Sequence, residues 1–495
     1  MLPSISQRRW NETTAAHLLN RAGFGGTPSE VETLTKLGPE GAVERLLEFT
    51  AVPDNGVAPL PEWTRGDPER VERLRRLRKA SSEERLVLRR MEMTEQRRRI
   101  QELRGWWLSR MASGRRPLED RLVLFWHGHF ATSIRKVRDA GMMARQWETF
   151  RRNAAGNWRQ MLWDVARDPA MLVWLDQAQS RREHPNENFA RELLELFALG
   201  EGHYSERDVT EAARALTGLS LDRLRQEYVW RLGAHDDETK VFLGASGRWT
   251  PEDILQRIVE HPQSAGFIVK KLWTYFAAES PENKLVEELA AVLRKSNHEF
   301  RPLLRVMFRA EAFYAPQVMR SQVKGPVQWL VMATRQLERR LPASEAVTAV
   351  LRELGQELFA PPNVKGWDGG VAWINTGTLS RRQQLAAVLV RGRQGLFEMA
   401  KNSDGDDGRA ARPRRNRQAG GASGSVDLEN FFPAGTRLDR DQIIAALGGR
   451  FLNEPFRPSL EAEVRQDLGD DPTPRREAIL QAIQTVLAST DYQLV

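Results

Sequence analysis

Apolar residues along this chain recur at helical intervals. Phe189, Leu193, Leu196 and Phe197 fall on one side of a helix, as do Ile443, Ile444 and Leu447 and the set Ile479, Ile483, Val486 and Leu487. Leu86, Met93 and Ile100 recur every seventh residue, and Leu103 and Trp107 extend that stripe. The start signals agree with the periodicity. Thr27-Pro28-Ser29-Glu30 and Thr250-Pro251-Glu252-Asp253 each combine an N-cap, a proline at the first helical position and an acid three residues on, while Ser205 with Asp208 and Asp439 with Gln442 repeat the capping pair. Alternating β-branched runs are almost absent. Only 227–232 and 241–243 read as strands, predicting a small β-hairpin at most. The expected fold is mainly α: a multi-helix orthogonal array with a long charged helical hairpin and a small C-terminal helical unit.

One composition shift divides the chain. Residues 401–425 combine Asp, Gly, Ser, Pro and five arginines with hardly an apolar side chain, so they cannot bury enough surface to offset their ordering entropy. They are expected to form a disordered linker or loop between a main helical domain, 1–400, and a helical appendage, 426–495, whose thin core predicts that it docks on the main body.

The 495 residues are 41% hydrophobic and contain no cysteine, which excludes disulfides, cysteine-held zinc, iron–sulfur clusters and the haem attachment motif. No stretch reads as a transmembrane span. The first residues lack the apolar run of a secretory signal, so cytoplasm is the expectation from sequence. The net charge is +8, and 65–116 accounts for all of it, with 17 basic residues against 8 acidic ones. That basic hairpin reads first as a solvated helix face and second as a surface for an acidic partner. It carries no motif for sequence-specific nucleic-acid recognition. Gly23-Phe24-Gly25-Gly26 lacks the lysine of a phosphate loop and follows a helical run, so it is read as a helix end leading into Thr27.

Four segments carry candidate chemistry. In 185–197, Glu187, Glu192 and Glu195 are acid/base candidates, and Asn186, Asn188 and Arg191 are hydrogen-bonding groups for a substrate. With α-helical spacing, Asn188, Glu192 and Glu195 share one strip and Glu187, Arg191 and Glu195 another, which predicts a Glu187–Arg191 pair. In Phe125-Trp126-His127-Gly128-His129-Phe130, His127 and His129 point about 200° apart if helical, so joint chelation needs a non-helical turn. Either each is satisfied within the core, or the two serve as ligands or proton carriers. His235, Asp236 and Asp237 add polar turn chemistry, and with His127 and His129 they are the residues that could hold a divalent metal. The loop 359–375 brings Asn363, Lys365, Trp367, Trp373 and Asn375 together, stacking faces beside amide groups, a combination suited to a polar ring such as a sugar.

The runs FWHGHFATSIRKVRDA at 125–140, DPAMLVWLDQAQSRREHPNENFARELLELFALGEGHYSERDVTEAARALTG at 168–218, HDDETKVFLG at 235–244, KLWTYF at 271–276 and APPNVKGWDGGVAWINTGTL at 360–379 resemble the domain of unknown function 1800 family of bacteria. The resemblance spans roughly residues 12–495. It implies a large, mainly helical protein, often exported, whose gene frequently neighbours one for an alkaline-phosphatase-like protein, a possible partner; the periplasm is therefore the alternative to the cytoplasm. The chain departs from the family pattern at Gly128, where asparagine is expected, at Leu219, where tryptophan is expected, and at Glu238, where glycine is expected. Three functions are compatible with these residues. They are a hydrolase on a glycan-like or other polyhydroxylated substrate, a non-catalytic helical scaffold, and an electrostatic binder of nucleic acid or anionic membrane.

Overall fold

The computed structural model describes residues 2–54, 58–66, 69–341, 344–392, 424–432 and 438–495. The expected linker, 401–425, falls outside them except for its last two residues. Among the described residues nearly all regular structure is helical. Each predicted capping pair forms. Thr27 Oγ1 accepts from the Glu30 amide at 3.3 Å and Glu30 returns the bond to the Thr27 amide at 2.7 Å, and reciprocal caps start the helices Glu206–Ala215, Pro251–Glu260 and Arg440–Phe451. Caps of this kind contribute about 1 kcal/mol each. Gly25 sits at φ +71° in the turn before Thr27, where a Cβ would lie 2.8 Å from Met332 Cγ.

The helix Pro117–His129 is the axle of the molecule. Its residues are buried nearly all round, Leu118, Leu122, Val123 and Trp126 being at most 1% exposed, and the burial extends to its polar residues Glu119, Asp120, Arg121, His127 and His129. Helices Glu12–Ala22 and Ala140–Arg152 and the end of Ser82–Ser113 pack around it, and Trp107, Trp126, Trp147, Trp158 and Trp329 fill the core. Beside it lies a buried charge cluster: Arg110 donates to Asp120 at 2.7 Å, Glu119 at 2.6 Å and Asp54 at 2.7 Å.

The basic hairpin pairs Arg70–Lys79 with the 32-residue helix Ser82–Ser113 through Arg73 and Glu92 at 3.3 Å. The heptad stripe is not one continuous seam. Ile100, Leu103 and Trp107 are buried, whereas Leu86 and Met93 are more than half exposed, because a helix about 48 Å long reaches past the body it packs on. Part of its basic charge is internally balanced, Arg98 and Arg99 both bonding Glu95.

The strands form two hairpins rather than one. Leu219–Asp222 pairs antiparallel with Glu227–Trp230, and Lys240–Phe242 with Ala245–Gly247. The segments 227–230 and 240–242 do not meet because the loop between them is held on the helix Glu206–Ala215. The C-terminal helices Arg440–Phe451, Pro458–Leu468 and Arg476–Ala488 pack on Thr376–Arg391 and Pro326–Gln336. Arg391 donates to Glu477, Gln481 and Gln484, and Tyr492 donates to Gln336 at 2.6 Å. Their apolar residues, Leu447, Val464 and Ile483 among them, join the same core as the rest of the chain.

Candidate functional site

Asn186 opens the central motif as its N-cap, accepting from the Phe189 amide at 3.3 Å and donating to the Leu175 carbonyl at 2.7 Å. The helix Glu187–Glu192 then widens into a π-helix over Leu193–Ala198, closed by a bond from the Leu199 amide to the Leu194 carbonyl at 2.8 Å. Such turns are rare and cluster at functional sites. Phe189, Leu193, Leu194 and Phe197 are buried beneath it.

Its polar residues separate into three environments. Asn188 and Glu187 are exposed, Glu187 accepting from Thr210 at 3.0 Å. Arg191 does not pair with Glu187. Its guanidinium makes two 2.7 Å bonds to Glu206, because the helix Glu206–Ala215 lies alongside and presents a carboxylate to both arms of the fork. Glu195 accepts from the Tyr204 hydroxyl at 3.0 Å, and burial followed by this bond pushes the tyrosine up to about 12. Half-buried Glu192 makes no hydrogen bond or ion pair among the described residues. Desolvation raises its pKa and the Glu195 carboxylate raises it further, against the pull of Arg191 and Lys365.

Lys365 belongs to the distant loop 360–379. Gly366 there has φ +86° and passes so close to the axle helix that a Cβ would lie 2.2 Å from the Gly128 carbonyl oxygen. The Trp367 ring then lies across Gly128, 5.4 Å from the His127 ring. Lys365 is exposed beside it, and Asn363 shapes the turn by accepting from the Lys365 amide at 2.9 Å. Trp373 and Asn375 have architectural positions. Trp373 is 9% exposed under Gly325 and Gly355, and Asn375 caps Thr376–Arg391.

The histidines of the axle helix are buried and neutral. His127 Nε2 accepts from the Phe359 amide at 2.9 Å, and His129 Nε2 donates to the Phe197 carbonyl at 3.0 Å. Desolvation pushes both down to about 3, with Arg104 adding to the effect at His127 and Lys271 at His129. They face different partners and share no ligand position. The His235–Asp237 turn also lies elsewhere. His235 Nδ1 bonds the Thr217 carbonyl at 3.0 Å, Asp236 pairs with Arg214 at 2.7 Å and Asp237 with Arg248 at 2.6 Å, clamping the end of Glu206–Ala215. Among the described residues no three His, Cys, Asp or Glu side chains are grouped to hold a metal ion. The five residues considered as ligands therefore do not fit a divalent metal as one set.

Two lysines not anticipated as site residues complete the patch. Lys270 and Lys271 lie on the helix Pro262–Phe276. The Lys271 ammonium is 5.4 Å from the Phe267 ring centre, and desolvation, then Lys270 and Lys365, hold it below the ordinary lysine range. The clue was an ammonium opening the otherwise apolar run KLWTYF. Glu192, Glu195, Lys365, Lys271 and Trp367 thus come from three separated segments. An open cleft of about 560 Å³ nearby in sequence is lined by Asp176, Gln179, Arg181, His184 and Asn186 among others; neither carboxylate nor Lys365 nor Trp367 lines it.

A family model described as a protein of unknown function, DUF1800, matches residues 17–494. The chain belongs to this family, and the segments that meet around Glu192 all lie within the match. Neither the curated proteins nor the solved structures give a match.

Proposed function

We propose that the patch around Glu192 is the acid/base centre of a hydrolase acting on an anionic, polyhydroxylated polymer such as a glycan. The observation that carries this reading is the state of Glu192: a half-buried carboxyl with no bonding partner among the described residues, its pKa raised by desolvation and then by Glu195, which is itself held by Tyr204, and within the field of Lys365. Two carboxyls in unlike environments divide the roles. Glu192 retains its proton to higher pH and acts as general acid, while Glu195, held by Tyr204, activates water or stabilises developing positive charge. Lys365, with Lys270 and Lys271 nearby, supplies the field for an anionic substituent, and Trp367 offers a ring face for a sugar. An open surface rather than a deep pocket suits a chain-like substrate.

The test is incubation of the full chain with a panel of acidic and neutral polysaccharides, reading new reducing ends. Cleavage is expected with acidic members, with loss of at least 100-fold in Glu192→Gln and a preserved fold. Equal cleavage by Glu192→Gln would remove Glu192 from the chemistry. The competing reading, a non-catalytic scaffold, draws on His127, His129, Asn186, Asn375 and Asp236, each of which makes a structural bond. It predicts no cleavage of any substrate in the panel.

A further inference from the structure

Arg21 and Arg121 are buried charges with no carboxylate partner among the described residues. Arg21, on Glu12–Ala22, is 0% exposed; Arg121, on the axle helix, is 4% exposed. Arg21 uses only Nη2, donating to the Val318 carbonyl at 2.5 Å and to Ser321 Oγ at 3.3 Å, while its Nε and Nη1 are buried without an acceptor. Arg121 donates from Nη2 to Gln328 Oε1 at 3.1 Å and stacks between Phe24 and Tyr275, its guanidinium carbon 4.5 Å from the tyrosine ring centre, yet its Nε is also buried without an acceptor. Among the described residues neither forms an ion pair with a carboxylate. The two share a neighbourhood: Gln328, which accepts from Arg121, donates to the carbonyl of Asn20 beside Arg21 at 3.0 Å, and burial, then the positive charge of Arg121, bring Arg21 down to about 9, so that it is still charged at neutral pH.

Burying one guanidinium without a counter-charge costs several kcal/mol, and a second beside it adds repulsion. The contrast with Arg110, enclosed by three carboxylates, is direct. The ring faces of Phe24 and Tyr275 offset part of the cost at Arg121, but among the described residues no ring lies under Arg21. Three buried guanidinium nitrogens without an acceptor and two positive charges define a demand for one small acceptor bearing negative charge.

We propose that Arg21 and Arg121 together form an internal binding site for a small inorganic anion of the halide class, which bridges the two guanidiniums and stabilises the packing of Glu12–Ala22 on the axle helix. Its role is independent of the acid/base patch. A halide fits the demand because it accepts from several donors at once without requiring a directional geometry.

The full chain is dialysed into a buffer whose only anion is a bulky organic sulfonate, then titrated with sodium chloride or bromide at constant ionic strength while thermal unfolding is followed. The expected result is a saturable rise in Tm of a few degrees with halide, following the linkage of a ligand that binds only the folded state, and absent in Arg21→Met. Equal Tm at all halide concentrations would overturn the proposal, as would an undiminished rise in Arg21→Met. Should that variant not fold, bromide anomalous scattering from crystals of the unaltered chain decides. A peak within hydrogen-bond reach of both guanidiniums supports the site, and its absence from a fully soaked crystal overturns it.

Discussion

The cluster around Arg110 and the patch around Glu192 use the same chemistry to opposite ends. Arg110 is buried with every arm of its guanidinium on a carboxylate, and Glu119 and Asp120 are as deeply buried as the arginine. Glu192 lies half-exposed on a π-widened helix with no side-chain bond among the described residues, its charged form disfavoured first by desolvation and then by Glu195. A charge whose partners are complete fixes geometry, whereas a charge left without partners is available to a substrate. Stability measurements can separate the two regions before any substrate is known.

The largest effect is expected at the closed cluster. Arg110→Met leaves Glu119 and Asp120 buried without their main counter-charge and should cost about 3–5 kcal/mol, read as a lower denaturation midpoint with an unchanged slope. A loss under 1 kcal/mol would mean that water or Arg151, 3.4 Å from Glu119, takes over the site.

Acid should expose the next largest effect. His17, His127 and His129 are buried and held at about 3, each chiefly by desolvation. Their unfolded counterparts titrate near 6.5, so between those values the unfolded chain binds protons that the native chain refuses. Stability is therefore complete above pH 6.5 and falls as the pH drops toward 3, by about 1.4 kcal/mol per pH unit for each histidine. Urea unfolding at a series of pH values measures the slope. His127→Gln, whose amide oxygen reaches the place of Nε2 and so keeps an acceptor for the Phe359 amide, should flatten it by one histidine's share. An unchanged slope would mean that His127 is protonated in the native state.

What could be read from the sequence was what is local. Caps at Thr27, Ser205, Thr250 and Asp439 are written in three or four consecutive residues, and they all formed. The helical class followed from periodicity. What escaped was decided by distant segments. The pairing of Arg191 turned on Glu206 from the next helix, and the stripe through Leu86 and Met93 lost its seam because both lie on the part of the helix that reaches past the main body and stay more than half exposed. The π-turn after Glu192 carries no propensity signal. Lys271 drew no notice because only the fold brings it into the field of Lys365. The meeting of Trp367 with Gly128 was likewise hidden in two glycines 238 positions apart, each uninformative alone.

Arg191→Ala sharpens the comparison from the surface side. The pair with Glu206 is bidentate but exposed, with side-chain exposures of 36% and 78%. Solvent screening and side-chain entropy leave such pairs with little net stabilisation. Thermal unfolding of the variant should be nearly indistinguishable from that of the unaltered chain, and Glu187→Gln, which loses only the bond from Thr210, should behave in the same way. A clear loss of stability in Arg191→Ala would place the whole polar strip in the architectural class beside Arg110.

The smallest shift, and the most diagnostic in sign, is expected for Glu192→Gln. Folding moves this carboxyl into a less polar setting and toward Glu195, so its folded pKa lies above its unfolded one. For a carboxyl shifted in that direction, the penalty on folding is absent below the unfolded value and grows as pH rises through the folded value. Glutamine has no charge to lose. At pH 8 the variant should therefore unfold at a slightly higher temperature than the unaltered chain, with the difference vanishing near pH 4. Residues retained for chemistry at a cost in stability respond in this way. A fall in Tm at pH 8 would show that the Glu192 charge has a stabilising partner, and the contrast with Arg110 on which the catalytic reading depends would be lost.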